Sequence, residues 1–286
     1  MQGSSSEDRT TKHSVRVIGE PPTAIGYHVT MRLSDDRGIA RSATQLRHAA
    51  RIFHRHGESR GLVAFRIADT HAHALVVGPR EEAGRFALFV EAALRKELRI
   101  PVAFERCRIR PIDNERHLAN TLRYTLKQEA HHGTAFDLAH DGSSLVDLLG
   151  MRLTAPWLLE RVRQLLPRLK RAVILEWLEA PELDTAEPDL RRLADAAAAA
   201  WSLRDLRGST NAHYHARRAA VHVCDRFAHD TSQASSVLQT PQRSVVRYRN
   251  ETVPAAALRA VERQLRLRSL LQRREAALFE GSSAGG

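Results

Sequence analysis

Two apolar runs separated by two turn residues constrain this chain more than any other feature. Gly61 to Ala68 is followed by Asp69-Thr70, and then by Thr70-His71-Ala72-His73-Ala74-Leu75-Val76-Val77, which Gly78-Pro79 closes. That pattern predicts a β-hairpin ending cleanly at the Gly-Pro pair. Upstream, Ala24 to Leu33 alternates as a strand, with Tyr27, Val29, Met31 and Leu33 on one face and His28, Thr30 and Arg32 on the other. Asp35-Asp36-Arg37-Gly38 reads as a turn. Ser42 to His56 has helical spacing through Leu46, Ala49, Ala50 and Phe53, with Ser42 as N-cap. Downstream, Glu81 to Leu98 predicts a helix that is acidic at its start and basic at its end, as the macrodipole prefers. Pro101 to Ile112 predicts a fourth strand, and Asn114 to His131 a further helix. The order is β-α-β-β-α-β plus a helix. It predicts an α+β fold of the ferredoxin-like, split β-α-β-β-α-β kind, with a four-stranded antiparallel sheet and two helices on one face. Such a fold hosts many unrelated functions, so function must come from particular residues.

The remaining chain divides around this unit. Residues 1–20 are Ser-rich, charged and without periodicity, which predicts a disordered tail, and 21–132 form the expected first domain. Residues 133–155, with Gly133, Gly142 and Gly150, read as connector, and Pro156 to Leu178 as a helix rich in Leu and Arg. Glu179 to Pro188 holds two prolines and four acids and reads as linker, so 133–188 is connector with a helix. An all-helical domain is expected over 189–280: Asp189 to Leu206, Asn211 to His229, two short helices and a basic tail helix. The short pair, capped by His229-Asp230-Thr231-Ser232 and restarted at Thr240-Pro241, has the dimensions of a helix-turn-helix. In its second helix Val245, Val246 and Tyr248 should pack inward. Gln242, Arg243 and Arg247 would then face base edges or phosphates of DNA; a small helical bundle with a basic exterior is the alternative.

Charge narrows the class of partner. The chain has 286 residues, 43% of them hydrophobic, a formal net charge of +11 and a pI near 10.6. Such an excess, mostly Arg, favours a polyanion. Cys107 and Cys224 are too few for a disulfide framework or a cysteine-based zinc site. No apolar run reaches the roughly 20 residues of a membrane span. These features predict a soluble, cytoplasmic protein of a reducing compartment with no membrane partner.

The chain carries three His-x-His pairs: His54/His56, His71/His73 and His213/His215. Only His71/His73 falls in a strand, where both imidazoles share a face and can converge on one divalent cation. In a helix, residues two apart point about 200° apart. The alternative for His71/His73 is a pair of solvated strand residues. Of the four tyrosines, only Tyr124 has a potential metal ligand four residues on, in Gln128. Its alternative is a core tyrosine of an amphipathic helix.

Together, Tyr27-His28-Val29-Thr30-Met31-Arg32 in the first strand, His71-Ala72-His73, and Tyr124 with Gln128 resemble the HUH single-tyrosine transposases, especially the REP-associated tyrosine transposases of bacteria. The resemblance covers roughly residues 24–132. It implies that His71 and His73 bind Mg²⁺ or Mn²⁺ with Gln128 as third ligand, and that Tyr124 is the nucleophile. The chain departs from the family at Ala72 and at Thr125-Leu126-Lys127, as a divergent or domesticated member would. Arg32, Arg123 and Lys127, beside these motifs, are the expected DNA contacts of this part. The implied activity is that of a metal-dependent single-stranded DNA endonuclease and strand transferase, forming a 5′-phosphotyrosine on hairpin or repeat-associated DNA. Its partners would be single-stranded or hairpin DNA, duplex DNA through the C-terminal region, and a second copy in a homodimer. Its setting would be the bacterial cytoplasm at the nucleoid. Two rivals stand beside it: a DNA-binding regulator that has lost cleavage, and a ferredoxin-like RNA-binding protein. The second normally presents sheet aromatics for stacking, and here the fourth strand and the histidine strand expose none apart from Phe104. A fragment ending near Leu178 is expected to keep cleavage and lose site preference.

Overall fold

Along β1 (Gly26–Arg32), side-chain alternation buries Tyr27, Val29 and Met31 and sends His28, Thr30 and Arg32 to the opposite face. β2 (Leu62–Ala68) and β3 (His71–Val77) form the hairpin. Its turn needs Asp69 in the left-handed region, at φ 49°, which Asp tolerates. At the open end Gly61 has φ 73°, and a Cβ there would lie 2.0 Å from the Val77 carbonyl oxygen, so only glycine fits. With β4 (Arg108–Ile112) these strands make an open antiparallel sheet in the order β2-β3-β1-β4. The register sets His73 opposite Thr30 and Arg66, and His28 opposite Arg110. The computed structural model describes residues 24–128, 137–177, 187–227 and 229–283. The tail expected over 1–20, residues 129–131 of the expected tyrosine helix and residues 179–186 of the expected linker lie outside them.

The two sheet faces have different coverings. α1 (Ala43–Gly57) and α2 (Arg80–Glu97) pack on the face of Val29 and Phe65, and Ser42 caps α1 by accepting from the Gln45 amide at 3.2 Å. Phe53 stacks on Phe65 at 4.6 Å and meets Phe86 edge-on at 6.0 Å, which joins both helices to the sheet. Truncating such a buried Phe to Ala typically costs about 3–5 kcal/mol. α3 (Glu115–Leu126) lies on the other face over β2 and β3, burying Leu118, Leu122 and Leu126. Asn114 caps it by accepting from the His117 amide at 2.9 Å.

Several sequence expectations need correction. The fourth strand begins at Arg108 and not at Pro101. Leu33 bridges Phe104 where the β1–β4 register would set Glu105, so one extra residue bulges out before Arg108. The tyrosine helix ends at Leu126, because Lys127 takes φ −99° and ψ 17°, and Gln128 stands just past it. The helix expected over 156–178 is two, α5 (Pro156–Leu165) and α6 (Arg171–Trp177), since Pro167 disfavours a helical Leu166. The segment expected to be connector is buried over much of its described part: Ser144 bonds the Phe65 amide at 3.0 Å, and α4 (Leu145–Leu148) packs into the core. Residues 142–144 run along β2 in place of a neighbouring strand, with the Ile67 amide donating to the Gly142 carbonyl at 2.9 Å.

Beyond residue 187 the described chain is helical. A 3₁₀ turn (Leu190–Arg192) and α7 (Leu193–Ala200) stand where a single helix to Leu206 was expected. α8 (Asn211–Arg226), α9 (Thr231–Leu238), α10 (Gln242–Arg249) and α11 (Ala255–Ser283) follow. Asp230 and Gln233 form a capping box at the start of α9. Gln239, at φ 49°, turns the chain toward α10. Val245 and Tyr248 are buried in α10, whereas Val246 is 50% exposed. One residue further along a helix is about 100° around it, so Val246 cannot share their face. An ion cluster, buried at Arg47 and Asp141 and reaching the surface at Asp195, ties this region to α1: Arg47 bonds Asp141 at 2.9 Å and Asp195 at 2.6 Å, and Arg268 bonds both acids at 2.9 Å. Among the described residues no helix is long and apolar enough to cross a membrane.

Candidate catalytic site

Residues of the sheet face that α1 and α2 leave open converge with the end of α3 on a cleft of about 380 Å³. Its floor is built by strand register. His71 and His73 project from the same face of β3, ring centroids 4.8 Å apart and planes at 80°. His28, on β1, stacks on His73 at 5.1 Å, and its Nε2 lies 2.9 Å from His73 Nδ1. Tyr124 hangs over both from α3, edge-on to each ring at 5.8 Å, with 41% of its surface exposed. A phenol placed this way is reachable from outside while its ring is fixed by the two imidazoles.

Gln128 also lines the cleft and is almost wholly buried. Its Nε2 donates to the Tyr124 carbonyl at 3.4 Å, a bond that uses the amide nitrogen and not the amide oxygen. What holds this corner is Arg66. Its buried guanidinium donates to the Leu126 carbonyl at 3.0 Å, to Ser143 Oγ at 3.3 Å and to the Asp137 carbonyl at 3.3 Å. A cation against the last carbonyls of a helix satisfies acceptors the helix cannot. Arg66 stands opposite His73 in the sheet, so one strand pairing fixes both the imidazole and the end of the tyrosine helix.

Burial, reinforced by Arg110 and His117, holds the His28 imidazole down at about 4. It is therefore neutral near pH 7, and one of the two facing ring nitrogens carries the proton of the His28–His73 bond. Among the described residues no three or more His, Cys, Asp or Glu side chains gather as a metal site. A cation here would take His71 and His73 plus the Gln128 amide oxygen. That donor set is chemically adequate for a divalent ion, since its few protein ligands leave positions for phosphate oxygens and water.

The other sequence-derived residues fall as follows. Arg32 lines the cleft, 4.0 Å from Asp36 and 3.9 Å from Glu105. Arg123 is exposed on α3 and Lys127 half-buried at its end, neither among the cleft-lining residues. Gln242 and Arg243 are exposed on α10, and Arg247 lies over the Tyr248 ring at 5.0 Å, 3.9 Å from Glu251. The helical His pairs stay apart from the cleft: His54 faces Asp147 at 3.3 Å, and His213 faces Thr210 at 2.7 Å. Sequence reasoning assigned no site role to His28, Arg66 or the exposed Arg106, Arg108 and Arg110. Alternation already sets His28 on the face of Thr30 and Arg32, and only its role at the site is missed. Nothing local marks Arg66, whose partners lie about 60 to 77 residues away. Comparison with protein-family models, with curated proteins and with solved structures finds no match.

Proposed function

We propose that this chain is a metal-dependent endonuclease and strand transferase acting on single-stranded, hairpin-forming DNA, of the HUH single-tyrosine kind. The observation that carries the reading is the meeting of Tyr124, His71, His73 and Gln128 in one cleft, although helix and strand are some fifty residues apart in sequence. The order β2-β3-β1-β4, with α1 and α2 on one face, supports the ferredoxin-like form of the fold that this reading expects. Tyr124 Oη attacks the phosphorus of a strand held in the cleft, its proton passes to solvent water, and the departing 3′-oxygen takes a proton from water to become a hydroxyl. The protein keeps the 5′-phosphate as a tyrosyl ester whose phosphorus a second 3′-hydroxyl can attack, releasing the Tyr124 phenol, so strand transfer needs no added energy source. His71, His73 and Gln128 would hold Mg²⁺ or Mn²⁺, which when bound polarises a non-bridging phosphate oxygen. Neutral His28 holds the His73 ring in place, and Arg66 holds the end of α3 and with it Tyr124. In the helical region α9 and α10 form the proposed helix-turn-helix, with Gln242, Arg243 and Arg247 toward duplex DNA.

The test is incubation of the protein with a labelled hairpin oligonucleotide bearing a single-stranded flank and Mn²⁺. A denaturant-resistant adduct should form with the parent protein and be absent with Tyr124→Phe. Binding without an adduct in the parent would instead favour the non-cleaving regulator, and preference for RNA the RNA-binding reading.

A further inference from the structure

Among the described residues, buried arginines find partners, whereas exposed ones such as Arg123 and Arg243 do not always, so what sets a group of free arginines apart is its arrangement. Arg47, Arg66, Arg152 and Arg268 all spend their guanidinium groups on buried acids, carbonyls or a hydroxyl. Arg106, just before the fourth strand, and Arg108 and Arg110 on it stand in a row. Arg106, Arg108 and Arg110 are exposed, line the cleft, and among the described residues make no hydrogen bond or ion pair through their side chains. Nothing internal explains them, and three like charges side by side repel.

Their placement is ordered. Arg110 pairs with His28, the ring beneath Tyr124, and Arg108 pairs with Thr30, beside His73. Two residues of strand advance about 6.8 Å. That is close to the spacing of successive phosphates along an extended single strand. The bulge before Arg108 leaves Arg106 on the same cleft, so the row continues toward Arg32 and away from Tyr124. Among the described residues α3 covers β2 and β3, which leaves a strip two strands, roughly 10 Å, wide over β1 and β4. Such a strip suits one sugar-phosphate backbone and not a duplex.

We propose that Arg106, Arg108 and Arg110 form a phosphate track along which a single DNA strand runs into the cleft, with the phosphate to be attacked at the Arg110 end. The proposal rests on the reading of the cleft as a strand-cleaving site only for where the track ends. Phosphate contacts position a strand without reading its bases, so the track should be indifferent to sequence.

The experiment is salt-titrated binding of a labelled oligothymidylate, without a hairpin, and of a duplex of equal length, to the full chain in a Tyr124→Phe background. Each arginine on the track should contribute roughly 0.7 to the slope of log affinity against log salt for a single strand. The triple Arg→Gln variant should therefore lose roughly 2 from that slope, and the triple Arg→Lys variant, which keeps the charge, should lose little. An unchanged melting temperature checks that these exposed substitutions leave the fold intact. A triple Arg→Gln variant with the parent's slope overturns the inference, and so does an equal loss on duplex. Adduct formation by the Tyr124-containing parent, scored separately, distinguishes the two claims. An adduct with an unchanged slope sinks the track and leaves the cleavage reading standing. A reduced slope without any adduct does the reverse.

Discussion

Replacing Arg66 with Met tests how the fold delivers the tyrosine. The guanidinium is buried and serves, among the described residues, three acceptors: the Leu126 carbonyl, the Asp137 carbonyl and Ser143 Oγ. Each hydrogen bond from a charged donor is worth about 1.5–3 kcal/mol, so the gross loss is roughly 5–9 kcal/mol. Removing the charge also removes its desolvation cost, of several kcal/mol. The net loss should be about 3–5 kcal/mol, a large part of the roughly 5–15 kcal/mol that holds a typical domain. Urea denaturation reads this directly, as a fall in midpoint at nearly constant slope. The variant that stays folded should also form its adduct more slowly. A displacement near 1 Å of the reacting group costs on the order of a hundredfold, and here the end of the Tyr124 helix is released. Arg66→Lys should rescue little of either quantity, because one ammonium cannot span three separated acceptors as a planar fork does. A loss below 1 kcal/mol, or an unchanged adduct rate per folded molecule, would refute the role given to Arg66.

The ion cluster predicts that the two halves do not separate at the expected linker. Arg47→Met should cost about 3–5 kcal/mol in urea denaturation, because it strands buried Asp141 with only Arg268 as its ionic partner. A fragment ending at Leu178, which also loses Asp195 and Arg268, should be unfolded by circular dichroism; a folded fragment would show the cluster to be dispensable. Burial, followed by Arg66 and Arg152, holds the His140 imidazole down at about 3, so the folded chain keeps it neutral where the unfolded chain protonates it near 6.5. Its contribution is complete above pH 6.5 and is lost as pH falls toward 3, about 2 kcal/mol of it by pH 5, and a His140→Asn chain should show a correspondingly flatter dependence of denaturation midpoint on pH. His71→Ala and His73→Ala should each abolish Mn²⁺-dependent cleavage and weaken Mn²⁺ binding in calorimetry, while His213→Ala should alter neither.

What the sequence disclosed, and what it concealed, follows from the range of the interactions concerned. Period-two alternation is local, so it alone assigns Tyr27, Val29 and Met31 to one face of β1 and His28, Thr30 and Arg32 to the other. Caps are local as well, and Ser42 and Asp230 are legible as helix starts. The edge of β4 is different, because whether residues 101–107 pair depends on what β1 presents to them, and a one-residue bulge leaves no mark in composition. Buried cations hide for the same reason. Arg47 and Arg66 look like surface residues until Asp141, Asp195 and the Leu126 carbonyl arrive from far along the chain. Within the cleft, spacing could set Tyr124 and Gln128 on one helical face, but not that the helix stops at Leu126 with Gln128 just beyond. Nor could spacing show that His28 would come within 2.9 Å of His73.

The central claim is chemical, that Tyr124 becomes covalently joined to DNA. The most direct measurement is mass spectrometry of proteolytic fragments from the parent protein after reaction with a single-stranded hairpin substrate and Mn²⁺, followed by nuclease trimming. The account predicts that the peptide containing Tyr124 gains the mass of a nucleotide linked through its 5′-phosphate, with fragment ions that locate it on the phenol. A nucleotide on any other side chain, or cleaved DNA with every tyrosine peptide unmodified, would contradict it.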